Sequence, residues 1–127
     1  MSISVEERYH GVVIELKGKF LGSLQGEEFG EIIDQLKEKG TVHVVVDMSK
    51  TEFIDSTGIG VLTSSLTSLR NAGGELHIAN MKDRVHGLFV VTRLLGSAFQ
   101  DYESVEAALE AFDGTPEKNP APEKNAS

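Results

Sequence analysis

The chain has 127 residues, of which 39% are hydrophobic and 25% charged, with a formal net charge of -8 and no cysteine. That is the size and make-up of one globular domain with a single packed core. The acidic balance argues against binding nucleic acid or an anionic membrane through a basic surface, and the absence of cysteine excludes disulfides, thiolate catalysis and cysteine-based zinc sites.

Met1 to Val5 has neither the basic nor the long apolar region of a signal peptide. The longest apolar run, near Leu88 to Val91, falls well short of the ~20 residues of a membrane helix. A cytoplasmic protein without membrane insertion is the expectation. In chain order, Ile3 and Val5 alternate with Ser2, Ser4 and Glu6, which predicts a short half-buried strand. Tyr9, His10 and Gly11 form a turn, and Val12 to Leu16 reads as a second strand, antiparallel to the first because the turn is short. Gly18 and Gly22 bracket an exit loop.

Phe29, Ile32, Ile33 and Leu36 fall at helical spacing, with Glu27, Glu28, Glu31 and Lys37 on other positions; this amphipathic helix ends at Gly40. Val42 to Asp47 (VHVVVD) is short and valine-rich, as suits a central strand buried on both faces. Ile59, Leu62, Leu66 and Leu69 trace a second helix stopped by Gly73-Gly74. Glu75 to Asn80 alternates as a strand, and Val85, Leu88, Phe89, Thr92 and Leu95 mark a third helix closed by Gly96. Ala98 to Tyr102 is a candidate edge strand, and Val105, Ala108, Leu109 and Phe112 form a last helix with Ser104 as its N-cap.

All three prolines follow Asp113, and the segment 113–127 carries PEKN twice with no large apolar side chain. Such a tail does not repay its ordering entropy, so disorder is expected there and a folded domain over 1–112. The order β-β-α-β-α-β-α-β-α predicts an α/β domain: a mixed, mostly parallel sheet with an N-terminal β-hairpin and four helices joined by right-handed crossovers.

The most informative stretch is Phe53-Ile54-Asp55-Ser56-Thr57-Gly58-Ile59-Gly60-Val61-Leu62. It follows the buried strand and opens the second helix, and loops at the carboxyl ends of strands form the binding edge of an open α/β sheet. Asp55 and Ser56 are both good N-cap residues. A hydroxyl there sits near unpaired backbone N–H groups and the positive end of the helix dipole. Gly58 and Gly60 remove side-chain bulk and admit close approach of another backbone. On spacing alone, a capped helix start with two small packing residues accounts for the pattern equally well.

As a whole, this stretch resembles the signature of the STAS family, in particular its anti-sigma-factor antagonists. Val44-Val45-Val46-Asp47-Met48-Ser49, Gly73-Gly74-Glu75-Leu76-His77-Ile78 and Ser104-Val105-Glu106-Ala107-Ala108-Leu109 match the family in order and spacing, so the resemblance covers about residues 3–112. It implies a partner-switching cycle. The unphosphorylated antagonist binds an anti-sigma factor that is itself a serine kinase, and so regulates sigma-factor-dependent transcription. The kinase phosphorylates the serine after the motif aspartate, here Ser56, which releases the partner, and a PP2C-type phosphatase restores the binding form. Thr57 is a lesser acceptor. By the same resemblance the partner-binding set comprises Phe53, Asp55, Ser56, Thr57, Gly58, Ile59 and Gly60, with Gly22 beside them.

One position departs from the family. Its Gly-Glu-Leu-Asp-like run after the second strand is here Gly18-Lys19-Phe20-Leu21, so Leu21 replaces an acid near the acceptor. That departure, with the extra tail, motivates a second reading, a STAS scaffold in a stressosome-like complex or a lipid-transport ABC system. Other chemistry finds little footing. His10, His43, His77 and His86 show no metal spacing and read as structural or surface residues. Ser56 lacks a Gly-x-Ser-x-Gly elbow, and Gly58-x-Gly60 lacks both the third glycine of a dinucleotide loop and a Walker lysine. No catalytic residue, cofactor or metal is therefore expected, and the chain reads as a binding module rather than an enzyme.

Overall fold

The computed structural model describes residues 2–92 and 99–113. In chain order these form β1 (Ser2–Arg8), β2 (Gly11–Phe20), α1 (Gly22–Glu38), β3 (His43–Asp47), β4 (Thr51–Ile54), α2 (Ser56–Asn71), β5 (Glu75–Ala79), α3 (Asp83–Val91), β6 (Asp101–Tyr102) and α4 (Val105–Glu110), followed by a 3-10 turn at Ala111–Asp113. The expected α/β architecture is present. The strands run in the order β1-β2-β3-β5-β6, with β4 paired to β2. Only β1 is antiparallel to its neighbour, and Arg8 pairs with Gly11 across a two-residue turn. No described helix is long and apolar enough to cross a membrane.

Strand β4 is the element missing from the expected order. β2 pairs in parallel with β3 through Val12–Glu15 and then with β4 from Gly18 to Phe20, with a register shift between Gly18 and Lys19. β3 and β4 therefore lie end to end along one side of β2, interrupted by a loop at Met48–Lys50. Hydrogen bonds to the neighbouring strands hold that loop and the start of β4, among them Gly18 N–H to Lys50 O at 2.9 Å. Met48 N–H donates to Ala79 O at 2.9 Å, and the fully buried Thr51 donates its hydroxyl to Leu16 O at 2.7 Å. Four residues are too few to carry a strand periodicity, and the signature that contains Phe53 and Ile54 reads by itself as a loop into a helix.

The exit loop expected between Gly18 and Gly22 does not exist. Gly18 lies inside β2 at the register shift, with φ +98°, and Gly22 is already the first residue of α1, so a single residue, Leu21, joins strand to helix. β1 is also less buried than its alternation implies, because Ile3 is half-covered while Val5 stays exposed. The ends of α1 and α2 follow the sequence signals. Gly40 (φ +78°) and Gly73 (φ +89°) adopt the left-handed conformation. Thr41 N–H then reaches Leu36 O at 2.9 Å and Gly74 N–H reaches Leu69 O at 2.8 Å, the paired backbone closure that glycine makes accessible. Ser104 caps α4 as expected, its hydroxyl accepting from Ala107 N–H at 3.0 Å. The expected end of α3 at Leu95 and Gly96, the start of the edge strand at Ala98 and the tail beyond Asp113 fall outside the described residues.

Strand register sorts the core into two unequal layers. Val12, Ile14, Leu16, Val44, Val46, Leu76 and Ile78 face α1, α2 and α3, where they pack with Phe20, Phe29, Ile33, Leu36, Leu62, Leu66 and Phe89. The alternate positions Val13, Val45 and Ala79 face α4 and meet Ala108 and Leu109 in a much smaller cluster. α1 to α3 thus cover one face of the sheet and α4 covers part of the other, which is how β3 is buried on both sides.

Thr51→Val keeps the shape of a buried side chain but strands the carbonyl it serves. It is expected to lower unfolding free energy by about 1–3 kcal/mol, read as a lower denaturant midpoint with an unchanged slope.

Candidate functional site

Strands β2 and β4 run side by side in parallel and end together at Phe20 and Ile54. Their helices must therefore start side by side, and α1 and α2 each bring unpaired backbone N–H groups to one spot. Asp55 is the residue between β4 and α2. Its Oδ1 accepts from Gly58 N–H at 2.7 Å, which caps α2. The same oxygen accepts from Gly22 N–H at 3.1 Å, the first amide of α1. One carboxylate oxygen thus closes both helix starts, where the dipole of each favours negative charge. Asp55 N–H points back to Phe20 O at 3.4 Å, which fixes the aspartate against the end of β2.

The α1 start has no capping side chain of its own, because Leu21 occupies the N-cap position. Its amide is taken instead by Gln25 Oε1 at 2.7 Å. With leucine there, Asp55 and Gln25 divide the task.

The glycines of this region fall into two kinds. A Cβ on Gly22 would collide with the Thr57–Gly58 backbone, lying 2.6 Å from Gly58 N, and one on Gly58 would lie 2.8 Å from both Phe20 O and Ile54 Cγ1. Gly26 is likewise pressed on Val61, at 2.8 Å. These three let the helices approach each other and the sheet. A Cβ on Gly30 or Gly60 would meet nothing within 4 Å. There the missing side chains leave an open groove of about 490 Å³ between α1 and α2, lined by Gly26, Gly30, Thr57, Gly60, Val61 and Ser64 among others.

The residues singled out by sequence separate accordingly. Ser56, Thr57 and Gly60 are exposed, and Asp55 and Phe53 are half-buried. Ile59, at 5% exposure, is a core residue, so it anchors α2 to the sheet and is no part of the outer surface. Gly58 and Gly22 are buried beneath that surface and shape it from within. Among the described residues the Ser56 hydroxyl makes no hydrogen bond, so it stands in solvent at the first position of α2. Sequence reasoning missed Leu24, exposed at 68% on the first turn of α1, and the groove floor at Gly26 and Gly30. The spacing Gly22-x3-Gly26-x3-Gly30 places all three on one helical face and was a readable signal for that groove. Among the described residues no three His, Asp or Glu gather in a geometry that holds a metal ion.

Fold and site together define a single α/β domain in which two helix starts share one acidic cap beneath an exposed serine. The STAS domain family model matches residues 2–108, and the chain belongs to that family. An anti-sigma-B factor antagonist of Staphylococcus aureus is 28% identical over 95 residues, covering 74% of this chain and 88% of that protein. An anti-sigma factor antagonist from Mycobacterium paratuberculosis shares the fold with a TM-score of 0.76 at 20% identity, over 88% of this chain and 93% of that one. SpoIIAA in its unphosphorylated form superposes with a TM-score of 0.75 at 21% identity, over 89% and 97% of the two chains. Its phosphorylated form from Bacillus gives 0.67 at 20% identity, over 87% and 98%. At these identities the solved structures establish the fold.

Gly22→Ala and Gly60→Ala separate the two kinds of glycine. The first is expected to cost about 1–3 kcal/mol through overpacking, and the second to leave stability unchanged or raise it by up to about 1 kcal/mol, as alanine does inside a helix. Thermal or denaturant unfolding of the pair checks this, and equal effects would contradict the packing described.

Proposed function

We propose that this chain is an anti-sigma factor antagonist, a cytoplasmic regulatory binding module rather than a catalyst. Its unphosphorylated form docks on a kinase-type anti-sigma factor through the surface around Ser56, Thr57 and Gly60. Phosphorylation of Ser56 releases it, and a PP2C-type phosphatase returns it to the binding form. The observation that carries this reading is the exposure of Ser56 directly after Asp55, with the hydroxyl unengaged and the aspartate committed to the backbone. Family membership and the relatives' names support the same role.

The physics of the switch follows from position. A phosphate brings about 1.5 to 2 negative charges at neutral pH. On the free protein it would stand in water at a helix N-terminus, where negative charge is tolerated. Against a docked partner it would lose that water beside the Asp55 carboxylate. An unpaired charge desolvated in this way costs several kcal/mol, and each 1.4 kcal/mol is about tenfold in affinity. The fold need not change, because Ser56 takes part in neither core cluster. Thr57, exposed on the next position, is the second acceptor to examine.

Ser56→Ala is expected to bind a kinase-type anti-sigma factor like the parent chain, and Ser56→Asp at least about tenfold more weakly, measured by calorimetry. Mass spectrometry after incubation with that kinase should place the phosphate on Ser56. Equal affinities, together with an unmodified Ser56, would defeat the proposal. Pull-downs that return a transporter subunit or a large homologous complex, with no kinase, would favour the scaffold reading that Leu21 motivates.

A further inference from the structure

We propose that α4 and the 3-10 turn after it form a pH-sensitive latch: they stay docked while the His77 imidazole is neutral and leave the sheet when it gains a second proton, with the α1–α2 face remaining folded.

His77 sits in the middle of β5, aligned with Val45 of β3, which is aligned in turn with Val13 of β2. The row continues to the exposed Glu6 of β1, and His77 is its buried ionisable side chain, only 7% exposed. Its Nδ1 lies 3.0 Å from Ala108 O in α4. A carbonyl accepts only, so Nδ1 carries the proton and the neutral ring has its bare nitrogen at Nε2. Phe112, from the turn after α4, stacks on the ring at 4.2 Å with the planes 9° apart. Tyr102 of β6 flanks it at 4.7 Å, and His43 of β3 meets Phe112 edge-on at 5.1 Å. The imidazole therefore joins three pieces of the C-terminal segment to the sheet.

The charged and titratable groups around it pull in both directions. Burial lowers the His77 pKa from its ordinary 6.5 more than any other influence. The Ala108 carbonyl and Glu75 of β5 oppose that effect, while His43 and Arg70, at the end of α2, add to it. The phenol of Tyr102, raised by its own burial, is neutral in this range. α4 contributes Glu106 and Glu110, both exposed. Undocking returns the ring to water and to its ordinary proton affinity. The released form then binds the proton more tightly, so docking is fully favoured above about pH 6.5 and weakens as pH falls below it toward the docked-state pKa.

Release stays local because little else holds this segment. α4 has six residues, and its cluster of Val13, Val45, Ala79, Ala108 and Leu109 is separate from the main core. Its contact with β1 is a partly exposed Arg8–Glu106 pair at 3.5 Å. Segments with few buried contacts open below the global unfolding free energy. The Ser56 surface lies on the other face, on helices packed into the main core.

Hydrogen exchange of the full chain between pH 7.5 and 5, corrected for intrinsic rates, tests the latch. Protection of amides 105–113 should fall by up to about tenfold per pH unit below 6.5, while α2 amides keep theirs. His77→Gln, which retains an amide donor and cannot titrate, should abolish that dependence, and His43→Gln should keep it. Constant protection of 105–113, its loss in one step with α2, or a pH dependence surviving in His77→Gln would each overturn the proposal. Should His77→Gln fail to fold, an NMR titration of the parent decides. The His77 ring signal must then move over the same pH range as the loss of α4 protection, and a mismatch would sink the latch.

Discussion

A single carboxylate oxygen holds together the end of this molecule where α1 and α2 begin. Asp55 Oδ1 closes α2 through Gly58 and α1 through Gly22. Two helix starts placed side by side would otherwise leave several amides unpaired and two positive dipole ends facing each other. Bringing them together costs electrostatic repulsion, and the shared negative charge offsets it. The arrangement also requires glycine at 22 and 58, since either Cβ would strike the neighbouring backbone. The cap and the two glycines form one device, and the exposure of Ser56 is its consequence. With the aspartate beneath it committed to the backbone, the next residue is turned outward at the first position of the helix.

The sheet makes that device possible. β2 continues past β3 and pairs again with β4, so the ends of β2 and β4 are adjacent and both feed helices on the same face. The buried Thr51 hydroxyl and the register shift at Gly18 support the step from one partner strand to the next. The placement of Ser56 therefore depends on a strand only four residues long, whose pairing aligns two helix starts far apart in sequence.

The two faces of the sheet divide the labour differently. One carries most of the core and the helices that frame Ser56. The other carries a small cluster closed by a histidine and aromatic rings. One sheet thus carries a face anchored in the main core and a face closed by a small separate cluster.

Much of this was legible from the sequence. The helical stripes, the valine-rich central strand, the N-terminal hairpin, the glycine helix ends and the Ser104 cap are set by local spacing and by conformations that particular residues favour. Residue pattern also marked the Asp55-Ser56 segment as the informative one. Tertiary structure alone decided what depends on distant neighbours: the pairing of β4 with β2 and the second hydrogen bond of Asp55, to an amide 33 residues away. It also decided which glycines are compelled by packing and which leave open space. Periodicity reports the face a residue takes on its own element, whereas the partner on the other side of a contact is fixed only when the chain closes on itself.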